Sequence, residues 1–322
     1  MVTTRSMRTG GQPTGSSAAT KNGDGSINAD PQPMETSNEP SKDTQTDQNT
    51  PIRTYRGNCH CKAFVYQVQL PELTSAVECN CSICYKKGYL WTFVDTKKIE
   101  VVKGSDASLS RYSFGSQRLE HKFCPTCATP LMAEQVRDGT TALNLRAMQD
   151  INVWALDKQP HDGDATGEVH PAPVHQGPLP ATSTDHQLYI GACHCGALTV
   201  AFMSKPLDET SDNGYLWTYP EDKQVVLYAS DPATLGRYSF SRHVLNKTFC
   251  KVCGVCMTNE YAHRTEQERK ALGAIPARGF AQSMKTEHPL NLRIFPSVDL
   301  SRLRPTRLLK GAENISPQYV NP

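Results

Sequence analysis

The sequence predicts an all-β protein made of two tandem copies of one cysteine-stapled unit. Three observations carry that prediction: short runs of alternating apolar residues, a pattern that recurs along the chain, and clustered cysteines. In the first copy Phe64, Tyr66, Val68 and Leu70 fall on one face of an extended segment, and Leu198, Val200 and Phe202 do the same in the second. "LWTFVD", "IEVVKG", "LSRYSF" and "ALNLRAM" read as further strands, separated by Gly, Pro, Asp and Ser.

The repeat is explicit. Gly57-Asn58-Cys59-His60-Cys61 returns as Gly191-Ala192-Cys193-His194-Cys195, and Gly88-Tyr89-Leu90-Trp91-Thr92 returns from Gly214 to Thr218. Arg111-Tyr112-Ser113-Phe114 matches Arg237-Tyr238-Ser239-Phe240, and Phe123-Cys124-Pro125-Thr126-Cys127 matches Phe249-Cys250-Lys251-Val252-Cys253. Leu143-Asn144-Leu145-Arg146 matches Leu290 to Arg293. The second copy lacks eight residues around "CNCSIC" and carries an insertion in which "TEQERKALGAI" reads as a short amphipathic helix. By the same comparison Trp91 and Trp217 read as core aromatics and Arg111 as structural, since Arg237 repeats it without the triplet.

This pattern divides the chain into a disordered tail at 1–52, a complete unit at 53–157, a Pro-rich linker at 158–187, a degenerate unit at 188–311 and a tail at 312–322. The first of these is rich in Thr, Ser, Gly, Asn and Asp, and buries too little apolar surface to offset its ordering entropy. The linker's histidines read as solvated residues rather than metal ligands.

Charge and hydropathy exclude several classes. Lys plus Arg number 34 against 32 for Asp plus Glu, a net charge of +2, so neither nucleic acid nor an anionic membrane is an expected partner. No apolar run approaches the roughly 18–20 residues of a membrane span. The N-terminus has no apolar h-region, and although it bears Arg and Ser without acids, it has no amphipathic face for a transit peptide. A cytoplasmic location is expected, with the nucleus as the alternative.

Twelve cysteines without a secretory signal read as metal ligands before disulfides. Structural zinc takes four thiolate or imidazole ligands in a tetrahedron. Cys59, Cys61, Cys124 and Cys127 make one such set, and Cys193, Cys195, Cys250 and Cys253 make its equivalent. The Cys-x-Cys pairs are expected at strand ends, with His60 and His194 turned to the opposite face. Cys79, Cys81 and Cys84 are different: three thiolates with no fourth ligand in reach of the spacing describe an open, catalytic-type site. Because the second copy keeps its framework without them, they are expected to be dispensable for folding. The competing reading is a third closed site completed by Cys256.

These residues resemble the glutathione-dependent formaldehyde-activating enzyme family, which also includes centromere protein V. The first copy reads "GNCHCK", "CNCSIC" and "FCPTCA"; the second reads "GACHCG" and "FCKVCG" without the middle motif. The resemblance implies an Mss4-like β fold, one structural zinc per copy, a further zinc on the triplet, and carbon–sulfur lyase chemistry joining glutathione to formaldehyde. Lys62 and Ala128 replace two glycines of that pattern, at a cost on the order of 1 kcal/mol each if the backbone there needs positive φ.

A thiol suits the open position of a Cys₃ zinc, because soft ligands favour sulfur, and three thiolates acidify a bound water less than three histidines would. A thiol is therefore the expected co-substrate; the resemblance implies that this thiol is glutathione and that its partner is an aldehyde. Lys86 and Lys87 are candidates to hold a glutathione carboxylate, since Asp212 and Asn213 reverse the charge in the second copy; an ordinary solvated turn is the alternative. The alternative function is a non-catalytic, zinc-stapled binding or scaffold protein.

Overall fold

A computed structural model describes residues 51–135, 138–165, 170–171, 173–207, 216–276, 279, 282, 284–303 and 316–322. All lie in one unit, Gln48–Pro322. The tail expected at 1–52 falls outside the described residues except at its end, where the first strand begins.

The first copy contributes β1 (Ile52–Asn58), β2 (Val65–Pro71), β3 (Ser75–Cys79), helix α1 (Ser82–Lys87), β4 (Trp91–Asp95), β5 (Ile99–Lys103), β6 (Ser110–Tyr112), β7 (Leu119–Phe123), β8 (Pro130–Gln135), β9 (Thr140–Asn144) and β10 (Asp157–His161). They form a three-stranded sheet, β1-β2-β5, and a seven-stranded sheet, β10-β3-β4-β9-β8-β7-β6. Tyr66, Val68 and Leu70 of β2 are buried as the alternation predicts, with Gln69 exposed.

The second copy contributes β11 (Gln187–Ala192), β12 (Leu198–Ser204), β13 (Trp217–Thr218), β14 (Val225–Ala229), β15 (Leu235–Tyr238), β16 (Leu245–Cys250), β17 (Cys256–Tyr261), α2 (Glu266–Ala271) and β18 (Leu290–Asn291). Their order, β11-β12-β14 and β13-β18-β17-β16-β15, repeats that of the first copy except that β3 and β10 have no counterpart among the described residues. The insertion forms α2, started by a Thr265–Glu268 capping box. The chain is thus mostly β-sheet, and no helix of the described residues is long and apolar enough to cross a membrane.

Three local expectations need correction. The linker does not begin at 158: Asp157–His161 is a strand, paired in parallel with β3 from Asp157↔Ser75 to His161↔Cys79. Its five residues are all exposed and include Pro160, the composition of a protected sheet edge, and that polarity hid the strand in the sequence. Two of the linker histidines, His170 and His175, are also not free in solvent. The His170 side chain packs on His194, and His175 Nδ1 lies 2.9 Å from Thr199 Oγ1. Finally, the Cys-x-Cys pairs sit in the turns after β1 and β11 rather than on the strands, where Lys62 N–H donates to Cys59 O at 2.9 Å. A turn converges two sulfurs on one point, which a strand's alternation would achieve only by aiming both along one face.

Helix α1 has six residues and no side-chain N-cap, too short to persist alone. Tertiary contacts hold it. Ile83, 1% exposed, enters a core shared with Cys193, Val255 and Leu292 of the second copy, burial that contributes about 2 kcal/mol. At its other end Gly88 takes φ +62 as a left-handed cap. There the Arg146 Nε donates to Gly88 O at 2.7 Å and Arg293 Nη1 to Tyr85 O at 3.2 Å, so the matching arginines of the two copies clamp one helix terminus.

Candidate metal centres

Two closed sets of four sulfurs form. Within each, all four Sγ atoms lie within 4.8 Å of one another: Cys59, Cys61, Cys124 and Cys127 in the first, Cys193, Cys195, Cys250 and Cys253 in the second. Cys59 to Cys61 and Cys61 to Cys124 are both 3.5 Å; Cys193 to Cys195 is 3.6 Å and Cys195 to Cys250 is 3.5 Å. No pair is a disulfide. A tetrahedron of sulfurs about 2.3 Å from zinc has edges of about 3.8 Å, so both donor sets fit the ion. The N–H groups of Phe64 and Leu198 each donate to the first cysteine of their set at 3.3 Å, which favours a thiolate.

Lys62 and Ala128 take φ +64 and +56 at the turns of the first set, where Gly196 and Gly254 take +79 and +70 in the second. The condition for strain in the first set is met.

Cys79, Cys81 and Cys84 lie at the end of β3, in the turn, and in the first turn of α1, with their sulfurs within 4.8 Å of one another. Among the described residues no fourth Cys, His, Asp or Glu joins them. Cys256 does not: it starts β17, and burial raises its thiol pKa. The trio shares charge internally, with hydrogen bonds from Cys81 and Cys84 holding the Cys79 thiol well below its ordinary range while Cys84 is pushed up. Trp91, 5% exposed, is a core residue and also points its indole Nε1–H at Cys84 Sγ, 3.3 Å away.

The turn after β10 closes over this trio. Asn80, between Cys79 and Cys81, donates from its backbone N–H to His161 O at 3.2 Å and from Nδ2 to Asp162 Oδ1 at 2.8 Å, and it accepts from Asp164 N–H at 2.9 Å. Gly163 is pressed so near that a Cβ there would stand 2.5 Å from Cys79 Sγ.

The second copy supplies the facing wall. His194, between two ligands of its own staple, sets Nε2 2.9 Å from Ser82 Oγ and Nδ1 2.8 Å from Tyr112 Oη, with the Phe114 ring 4.4 Å away between centroids. Burial, then His170, pushes its pKa down to about 3, so the ring stays neutral and its single proton serves one of these two bonds. The reciprocal contact exists: His60 Nδ1 is 2.9 Å from Tyr238 Oη, and the His60 and Phe240 ring centroids are 4.3 Å apart. There the triplet's place is absent, and Tyr319 of the C-terminal segment stacks on His60 at 4.6 Å beside a cavity of about 770 Å³. The described end of the tail is thus tied to both copies: Asn58 Nδ2 donates to Tyr319 Oη at 2.8 Å, and Arg242 Nε donates to Ser316 O at 3.0 Å.

Lys86 and Lys87 are not on a solvated turn. The Lys86 ammonium donates to Ala192 O at 2.9 Å, next to Cys193. The Lys87 ammonium is buried over the Phe123 ring at 4.7 Å without a hydrogen-bond partner, and burial lowers its pKa to about 8. His121, 2% exposed, stacks between Tyr89 and Phe114 with both ring nitrogens unpartnered. Sequence reasoning did not assign roles to Ser82, Tyr112, Phe114 and His194. The signal available was the repetition of Tyr-Ser-Phe and of the histidine within Cys-His-Cys, which pairs each copy's aromatic residues with the other's histidine.

Residues 54–160 match the family model of the glutathione-dependent formaldehyde-activating enzyme. The matched segment contains the first staple, the triplet and β10 up to Pro160, and it takes in most of the strand that seals the triplet's sheet. Among solved structures, one Rhodobacter sphaeroides protein is 27% identical over 33% of this chain and 97% of its own, with a TM-score of 0.30.

Proposed function

We propose that this chain is a zinc-dependent carbon–sulfur lyase of the glutathione-dependent formaldehyde-activating type, with its reaction centre at Cys79, Cys81 and Cys84. The second copy is then a tandem unit that has lost its own triplet and serves as the wall of the first. The observation that carries this reading is the contrast within one chain between two sets of four sulfurs and one set of three. The family match over 54–160 supports it.

Zinc held by the triplet would supply a thiolate from the incoming thiol at neutral pH. The chain's own residues do the rest. The three cysteines act as ligands, not nucleophiles. Trp91 fixes Cys84 through the indole N–H, and Asn80 ties the Cys79–Cys81 turn to the segment above it. Tyr112, Phe114 and His194 form a largely aromatic wall with three polar atoms, Tyr112 Oη and the two ring nitrogens of His194, which limits water near the reacting sulfur. Glutathione as thiol and formaldehyde as carbonyl are the substrates the family match favours.

The test compares Cys81→Ser with Cys124→Ser. The acceleration of adduct formation from glutathione and formaldehyde over the spontaneous reaction, followed by NMR, should disappear in Cys81→Ser with three zinc ions per chain falling to two and the fold intact. Cys124→Ser should instead unfold the first copy. Unfolding by Cys81→Ser would make the triplet a structural centre.

A further inference from the structure

A second feature lies on the opposite side of α1 from the wall. The two arginines that clamp the helix terminus open onto a cavity of about 220 Å³ between the copies, lined also by Lys87, Trp217 and Cys256. Arg146 stands exposed at its edge, Arg293 is half-buried, and Gly88 has no Cβ where one would lie 3.2 Å from Arg293 Nε. Lys86 is part of the lining but is committed to Ala192 O. Among the described residues the lining holds no carboxylate.

Within the lining the charged groups are all of one sign. The helix terminus offers about half a negative charge, and a short helix no more. Facing it are Arg146, Arg293 and the Lys87 ammonium, which is buried with no hydrogen-bond partner; Glu78 acts on both arginines, and the sulfurs of Cys253, Cys250 and Cys84 on Lys87, from outside the lining. The Phe123 and Tyr89 faces, 4.7 and 5.7 Å from that ammonium, offset only part of the hydration it loses on burial. The second copy does not share this: Asn213 stands where Lys87 stands in the repeat.

We propose that this cavity binds a small carboxylate-bearing anion, held jointly by Lys87 and Arg146 of the first copy and Arg293 of the second. At about 220 Å³ the space admits a small dicarboxylate together with water. The proposal stands apart from the reaction assigned to the triplet, since it needs only these cations. If that reaction is as described, a carboxylate of the thiol substrate is one source, because Lys87 follows Cys84 by one helical turn; a free dicarboxylate is the other.

The test uses the full-length, zinc-loaded chain and calorimetric titration at low and high salt. Malonate is the free dicarboxylate probe, S-methylglutathione carries carboxylates without a thiol, and cysteamine carries a thiol without a carboxylate. Malonate should bind one per chain, more weakly as salt rises, and at least tenfold more weakly in Lys87→Met. Arg146→Gln, at the exposed edge, should weaken it as well and covers the case in which Lys87→Met fails to fold. Competition by S-methylglutathione, but not cysteamine, identifies the substrate as the source; its absence, with malonate bound, identifies a free anion. Cys81→Ser should still bind malonate, so loss of the lyase reading leaves this result untouched.

Absence of saturable malonate binding overturns the proposal. So does unchanged malonate binding in Lys87→Met accompanied by faster zinc loss from the second staple, which would make Lys87 a counter-charge to those thiolates only.

Discussion

His194, flanked by Cys193 and Cys195, sets its Nε2 2.9 Å from the Oγ of Ser82, which follows Cys81 and precedes Cys84 by two residues. The second staple thus locates the triplet through one hydrogen bond between residues 112 positions apart, and a further bond from His194 to Tyr112 fixes the same ring. His194→Phe keeps a ring of similar size and leaves both hydroxyls without that partner, a penalty of about 1–3 kcal/mol for each group that stays buried. Zinc release to a chelator should become faster for one ion of three, and adduct formation should fall about tenfold or more. Release curves that superimpose on those of the wild type would show that the two staples are independent of the triplet.

Gly163 makes a second, local prediction. A methyl at this position would stand 2.5 Å from Cys79 Sγ and 3.1 Å from Cys81 Cβ, nearer than side-chain carbons ever approach. Gly163→Ala must therefore push either the triplet or the covering turn. Zinc per chain should fall from three to two with the far-ultraviolet circular dichroism unchanged, since both closed sets lie elsewhere. Full retention of three ions would mean that the turn yields at little cost.

The left-handed backbone at Lys62 predicts a gain. Its φ of +64 disfavours a residue with a Cβ, and Gly196 holds the equivalent place in the second staple at φ +79. Lys62→Gly should stabilise the chain by about 1 kcal/mol, less the added freedom of the unfolded glycine and the loss of the Lys62 ammonium over the Tyr319 ring, 5.1 Å away. Urea unfolding measures it. A destabilised variant would show that the contact with Tyr319 outweighs the strain.

The sequence disclosed which cysteines gather into clusters that could hold a metal, because eight of them recur at matching positions and because the triplet stands out against the copy that lacks it. It also disclosed the strands with clean alternation, such as β2. It hid what depends on the two copies meeting. Ser82 and His194 are each unremarkable polar residues until the chain returns to place them together, and Tyr112 looks like framework because Tyr238 repeats it. β10 was hidden for a different reason: an exposed parallel edge strand has no buried face, so it leaves no periodic apolar signal. Lys86 and Lys87 looked like surface charge because burial of an ammonium depends on which neighbours pack over it, and those come from residues 192 and 123.

His121 makes stability depend on pH in a direction that can be worked out. Burial, then the Lys87 charge, pushes its pKa from 6.5 down to about 3 in the folded chain. The unfolded chain takes up this proton below 6.5, whereas the folded chain takes it up only near 3. The stability tied to the neutral ring is therefore fully present above 6.5 and is lost as pH falls towards 3, up to about 5 kcal/mol across the whole interval. Thiolates of the metal sites are also protonated on acidification, so the wild-type curve alone does not isolate the histidine. His121→Phe keeps a ring in the stack between Tyr89 and Phe114 and removes the titrating group. The urea midpoint of this variant should gain on the wild type steadily as pH drops from 7 to 4. Parallel midpoints over that range would mean that the folded chain protonates His121 as readily as the unfolded one, and that its two unpartnered nitrogens are matched by a polar group or water in solution.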